Sequence, residues 1–235
     1  LKVLQVIVAL LLPLVLLIGN VQLLAHPRFV RYEYSKAGFP PDTVIPPGGY
    51  ALSNAERTTL AMAGIESIIG PKGMQVLEDA RFERTSLPAF NAREIGHMQD
   101  VRGLFQKARG FFWGAMLVLV DGGLFLAWRG GRRALTQPLL NSVRIALALA
   151  GALGLYIVLS FNTFFTQFHH LFFEGSSWLF RRDDTLIRLY PTDFWFDAAF
   201  FIAGLTILQL VLVGLWAWWW GRRESTPEPA LELRS

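Results

Sequence analysis

Four histidines, His26, His97, His169 and His170, are the residues of this 235-residue chain best suited to move a proton near neutral pH. His97 falls in the run Arg93-Glu-Ile-Gly-His-Met-Gln-Asp100, where Arg93, Glu94 and Asp100 lie three or four positions away and can reach it on a helix. His169 and His170 interrupt an aromatic run from Phe161 to Phe173, ahead of Glu174, Trp178 and Asp184. Neighbouring helical residues point in different directions, so only one of this pair can share an interior with His97. Two histidines from distant segments suit a metal site, a haem held from two helices, or an acid-base pair. Zinc ordinarily takes three or more protein ligands, and no HExxH or comparable close-spaced set is present. Haem-ligating pairs normally lie within spans, whereas these sit at span ends. With no cysteine, thiol nucleophiles, disulfide exchange, iron-sulfur clusters and zinc thiolates are excluded. There is also no serine elbow and no glycine-rich phosphate loop. The expected chemistry is acid-base work by His97 with one of the later histidines, with no metal and no cofactor.

The elements that must position these residues can be read from periodicity and caps. Asn91 and Glu94 have capping-box spacing and open a helix that runs through Lys107 into an apolar span. At 100° per residue, Phe90, Val101, Leu104, Phe105, Ala108 and Phe112 share one face, with Gln99, Arg102, Gln106 and Arg109 opposite. Glu94 and His97 fall on the apolar face, with Arg93 and Asp100 at its edge. A titratable group there costs free energy unless it is paired, which marks the face for function. The plainer readings are a capping role for Glu94 and a solvated ion pair for Arg93 and Asp100. Upstream, Ser53 and Glu56 open a helix over Asn54 to Ile69, stopped by Gly70 and Pro71, and a short helix follows around Met74 to Ala80. The stretch from His26 to Tyr50, rich in proline and glycine, reads as mostly loop, with Tyr32 to Tyr34 as a candidate short strand.

The composition places this machinery in a membrane. Hydrophobic residues make up 53% of the chain and the mean hydropathy is +0.38, too apolar for an ordinary soluble domain. Four stretches reach the roughly 20 apolar residues that a bilayer requires: 3–25, 111–128, 143–161 and 194–220. The first outruns the ~7 to 15 apolar residues of a signal peptide and is preceded only by Lys2, so a retained helix is expected. Arg129, Arg132, Arg133 and Arg144 flank the short connection between the second and third spans, and Arg222 and Arg223 follow the fourth. By the positive-inside rule those ends are cytoplasmic. The expected layout is an all-α, four-span membrane protein, with both termini and the tail 221–235 on the cytoplasmic side. Segments 26–110 and 162–193, which carry all four histidines, face outward. Trp216, Trp218, Trp219 and Trp220 read as an interfacial belt at the inner surface. The net charge of +4 follows arginines beside apolar spans and shows no nucleic-acid pattern, so lipid is the expected partner.

The run Arg93-Glu-Ile-Gly-His97-Met98-Gln-Asp100-Val101, together with Phe168-His169-His170-Leu-Phe-Phe173, Trp178, Asp184-Thr-Leu-Ile187 and Leu189-Tyr-Pro191-Thr-Asp-Phe194, resembles the bacterial lipoprotein intramolecular transacylase family. The likeness extends over most of the chain, including His26-Pro27 after the first span. It selects His169, with His170 on a variable position. It implies transfer of the sn-2 acyl chain of a diacylglyceryl lipoprotein to the α-amine of its N-terminal cysteine. In that chemistry His97 takes the amine proton and His169 stabilises the oxyanion or protonates the leaving glyceryl oxygen, or the two exchange roles. Arg93, Glu94, Asp100, His170, Trp178 and Asp184 are the expected orienting or substrate-binding residues. Two other functions fit the same residues. One is hydrolysis or acyl transfer on a phospholipid, and the other is electron transfer by a haem- or metal-binding membrane protein.

Overall fold

The computed structural model describes residues 1–40, 49–173 and 177–223. Glu174 and the tail beyond Arg223 lie outside these. Among the described residues the fold is all helical: α1 Lys2–Leu24, α2 Pro27–Tyr34, α3 Asn54–Ile69, α4 Gln75–Glu78, α5 Ala92–Phe172, α6 Thr185–Leu189 and α7 Thr192–Arg222. No strand forms there, only an isolated bridge between Arg81 and Pro88. Helices α1, α5 and α7 are long and apolar enough to cross a membrane.

At 1.5 Å per residue the 81 residues of α5 would extend about 120 Å if straight. They fold back instead at Gly131, whose φ of 69° and ψ of −172° belong to a region that is essentially glycine's alone. The two arms then pack together, so that Leu126 shares a core with Leu139, Val143 and Ala146. Val8 and Leu12 of α1 and Leu210 and Ala217 of α7 complete that core. Small residues set the approach of the helices. A Cβ on Gly122 would lie 3.0 Å from Leu4, and one on Gly214 would lie 3.2 Å from Val143. Because apolar burial drives little helix association in lipid, polar cross-links matter more. Asn20, 2% exposed, donates from Nδ2 to Thr206 Oγ1 at 2.9 Å and Gln209 Oε1 at 2.8 Å, tying α1 to α7.

One end of this bundle gathers the start of α1, the Gly131 reversal and the end of α7. Gln5 Nε2 donates to the Ala134 carbonyl at 2.8 Å. Arg129, Arg132, Arg222 and Arg223 stack over Trp128, Trp220, Trp218 and Trp219. The other end carries α2, α3, α4 and α6 around a second core that includes Val30, Tyr34, Leu60, Ile65, Phe90, Met98, Leu189 and Tyr190. The Tyr34 hydroxyl donates to the Leu189 carbonyl at 2.8 Å, and the Tyr190 hydroxyl donates to the Ala61 carbonyl.

Helix α3 has the expected bounds, with Ser53 accepting from Glu56 N–H at its start. Tyr32 to Tyr34 is not a strand but the last turn of α2. His26 caps that helix through Nδ1 and Pro27 occupies its first position, where a missing N–H costs nothing. Arg102 is half-buried rather than solvated. Its Nη1 donates to the carbonyls of Ser67, Ile68 and Gly70 at 2.7, 3.1 and 2.9 Å, closing the C-terminus of α3. A Cβ at Gly131 would have to occupy the forbidden conformation, so Gly131→Ala should cost about 1–3 kcal/mol. A lowered thermal midpoint in detergent is the expected result, with Gly103→Ala, which meets open space, as the unperturbed comparison.

Candidate active site

The reversal at Gly131 brings His97, near the start of α5, against His169, near its end. Their rings lie 6.0 Å apart and only 26° from parallel. Both are buried, at 6% and 8% exposure, whereas the adjacent His170 faces outward. Aromatic rings close the space around the pair. Phe173 and Phe180 stand 5.1 and 5.2 Å from His97. Phe165 and Trp178 stand 4.2 and 5.0 Å from His169.

The two imidazoles differ in their partners. His169 Nδ1 is 2.7 Å from the Phe165 carbonyl. A carbonyl only accepts, so Nδ1 carries the proton and Nε2 keeps its lone pair. His97 Nδ1 is buried with no hydrogen-bond partner among the described residues. Burial pushes the His97 imidazole down to about 4, helped by the His169 ring and opposed by Asp100. Burial also lowers His169, while the Phe165 contact works to raise it. Both rings are therefore neutral at pH 7.

The segment that carries Trp178 and Phe180 is held in place by a buried carboxylate cluster. Asn91 caps α5 by accepting from the N–H groups of Arg93 and Glu94. Glu94, 1% exposed, accepts from Asn91 N–H through Oε2 at 2.7 Å and from Leu186 N–H through Oε1 at 2.6 Å. Asp184 Oδ1 accepts from Asn91 Nδ2 at 2.8 Å, and its Oδ2 accepts from Arg181 N–H at 2.7 Å. Arg93 adds a 3.6 Å ion pair to Asp184. Each end of the clamp thus caps or anchors the other helix. Burial raises the Glu94 carboxyl despite these donors.

Of the residues expected at the site, His97, His169 and Trp178 come together. Glu94 and Asp184 form the clamp beside them, and Arg93 serves Asp184 and the Leu179 carbonyl. Asp100 is exposed and accepts from Ser177 Oγ at 3.2 Å. Phe165 and Phe180 were not singled out by the sequence. An i, i−4 spacing from His169 is the signal that could have found Phe165.

The model of the family described as lipoprotein intramolecular transacylase Lit matches residues 6–195. The chain belongs to this family. An uncharacterized protein of Aquifex aeolicus (strain VF5) is 31% identical over 215 residues, spanning 90% of this chain and 92% of the relative. The in meso structure of the membrane integral lipoprotein intramolecular transacylase Lit from Bacillus cereus superposes with a TM-score of 0.72 at 16% identity, over 95% of this chain and 96% of that one. A structure of the same Bacillus cereus protein carrying a histidine-to-alanine substitution gives a TM-score of 0.70 at 16% identity, over 95% and 94% of the two chains. The fold is that of the membrane-integral transacylase, and membership of the Lit family makes the chain a transferase.

Two predictions follow from the clamp and the buried imidazole. Glu94→Ala leaves the Leu186 N–H without its acceptor and should cost about 1–3 kcal/mol. Amide hydrogen exchange should speed up across α6 and not across α1. His97 is protonated below about 6.5 when unfolded but only near 4 when folded. Its contribution to stability is therefore full above pH 6.5 and is lost as pH falls towards 4, by at most about 3 kcal/mol. Thermal midpoints of wild type and His97→Phe at pH 7.5 and pH 5 should show a smaller acid-induced drop in the variant.

Proposed function

We propose that this protein moves the sn-2 acyl chain of a diacylglyceryl lipoprotein to the α-amine of that lipoprotein's N-terminal cysteine, with His169 and His97 managing the proton. The observation that carries this reading is the pair of buried, nearly parallel imidazoles 6.0 Å apart in a member of the lipoprotein intramolecular transacylase family. The substrate brings both nucleophile and ester. The enzyme then has only to orient them and transfer a proton, which suits a chain without cysteine.

The amine nitrogen attacks the ester carbonyl, forming the N–C bond and a tetrahedral oxyanion. Collapse breaks the bond to the glyceryl oxygen, and the proton lost by the amine ends on that oxygen. No water or cofactor is consumed. His169 is the base in this scheme, because its Nδ1–H on Phe165 leaves Nε2 free to accept the amine proton and return it. His97, neutral and with Nδ1 unpartnered, is the companion group at the reacting centre. Of the two role assignments that the sequence leaves open, the Phe165 contact favours this one. Arg93 and Asp100, exposed at the rim, are placed for the polar part of the lipoprotein.

In the same reading the chain spans the bacterial cytoplasmic membrane four times, the two arms of α5 each crossing once. The arginine-tryptophan end lies inside and the histidine end lies outside, among membrane lipids. The arginines at the Gly131 reversal and after α7 support this orientation.

Mass spectrometry of lipoprotein N-termini, from cells in which this protein is the only transacylase, tests the proposal. His97→Ala and His169→Ala should each lower the N-acyl, S-monoacylglyceryl product by about a hundred-fold or more, whereas His170→Ala should retain it. Undiminished product from both of the first two variants would overturn the reading.

A further inference from the structure

Trp178 is 8% exposed, yet its indole Nε1–H is buried with no acceptor among the described residues. An unpaired buried donor costs about 1–3 kcal/mol, so native structures rarely keep one without a use. An indole N–H only donates, and what it lacks is an acceptor. Its ring lies 5.0 Å from that of His169 at an angle of 33°. The other unpartnered buried atom beside this pair of rings is His97 Nδ1. Two polar groups without partners therefore flank His169, in a pocket otherwise walled by phenylalanine.

The position of Trp178 is also over-determined. Its segment is fastened on one side by Ser177 Oγ donating to Asp100. On the other side Arg93 reaches the Leu179 carbonyl, and Asp184 takes Arg181 N–H. A donor held this firmly in a dry site needs no reorganisation to meet a charge that develops beside it.

We propose that the Trp178 Nε1–H donates a hydrogen bond to the ester carbonyl oxygen of the substrate, and most strongly to the oxyanion formed when the amine attacks, making Trp178 a catalytic residue. This rests on the transacylation proposed above. It adds the electrostatic half of the mechanism, since two neutral imidazoles move the proton but one of them must stay free as base. Amine attack makes the N–C bond, the carbonyl π pair moves onto oxygen, and Trp178 stabilises that oxygen until the glyceryl oxygen leaves.

The test replaces the indole nitrogen with as little else as can be changed. Benzothienylalanine at position 178 keeps the bicyclic shape and puts sulfur where N–H was, and Trp178→Phe serves as a genetically simpler second variant. Turnover is measured with a diacylglyceryl lipopeptide in detergent, beside thermal midpoints. The expected result is a fall in kcat of about ten- to a thousand-fold for both variants. KM should be little changed, and so should the midpoint of the benzothienyl protein. The acid limb of the pH profile, which reports the base, should not move. Wild-type kcat in the benzothienyl protein would overturn the assignment, and so would a rise in KM alone. If the benzothienyl protein is fully active while His97→Ala and His169→Ala are dead, only the Trp178 role fails. Full activity in those histidine variants would remove the transacylation reading itself.

Discussion

Glu94 has two carboxylate oxygens in an almost water-free position, and each accepts from a backbone N–H: Asn91 at the start of its own helix and Leu186 in α6. Ordinarily a helix N-terminus leaves such donors to solvent or to a local side chain. Here the cap of one helix reaches the cap of another. Asn91 returns the contact by donating to Asp184 at the N-cap of α6. The cluster therefore behaves as one unit, in which removal of any member strands a buried polar partner. The aromatic lid over the histidines hangs from it. Trp178 and Phe180 belong to the connection between α5 and α6, which has no helix among its described residues, and its place is set by these bonds together with Ser177 and Arg93.

The second constraint is the reversal of α5. His97 and His169 are 72 positions apart, so a straight helix would separate them by roughly 108 Å. They come within 6.0 Å because the chain turns back at Gly131 and the two arms pack together around Leu126, Leu139 and Val143. The polar link from Asn20 to Thr206 and Gln209 then fixes α1 against α7. The outer helices close the open end of this scaffold. Tyr34 ties α2 to the Leu189 carbonyl of α6, and Tyr190, at the end of α6, ties it to the Ala61 carbonyl of α3. The histidine site thus sits where a bundle end meets a small helical cap.

Local signals in the sequence reached far into this arrangement. The cap at Ser53, the capping box at Asn91, the apolar lengths of the spans, and the placement of Glu94 and His97 on an apolar face all depend on residues within a few positions of one another. The features that escaped are non-local or locally contested. Tyr32-Glu-Tyr34 alternates as a strand would, but a histidine cap and a proline at the first helical position outweigh that pattern once α2 packs against α3. Arg102 lies on the polar side of its own helix and finds its role only in the carbonyls of another, about 35 positions away. Glu33 is wholly buried because Lys36 joins it to Asp197 of α7. No periodicity in the stretch around Glu33 can show a partner so distant.

The low basicity of the two imidazoles fits the demands of an intramolecular acyl shift better than a conventional hydrolase would. A serine- or cysteine-type hydrolase raises a nucleophile from its own side chains, and it profits from a strong adjacent base. In the proposed reaction the nucleophile is an amine, whose neutral form is favoured by the same desolvation that keeps His97 and His169 uncharged. A charged imidazolium beside that amine would oppose its attack, whereas a neutral ring with a free lone pair accepts its proton as the bond forms. The phenylalanines around the pair therefore do more than fill space. In the proposed shift they would hold both partners in the proton state required and shield the ester from water as a competing nucleophile. The unpaired donor on Trp178 would then find its acceptor in the substrate carbonyl oxygen.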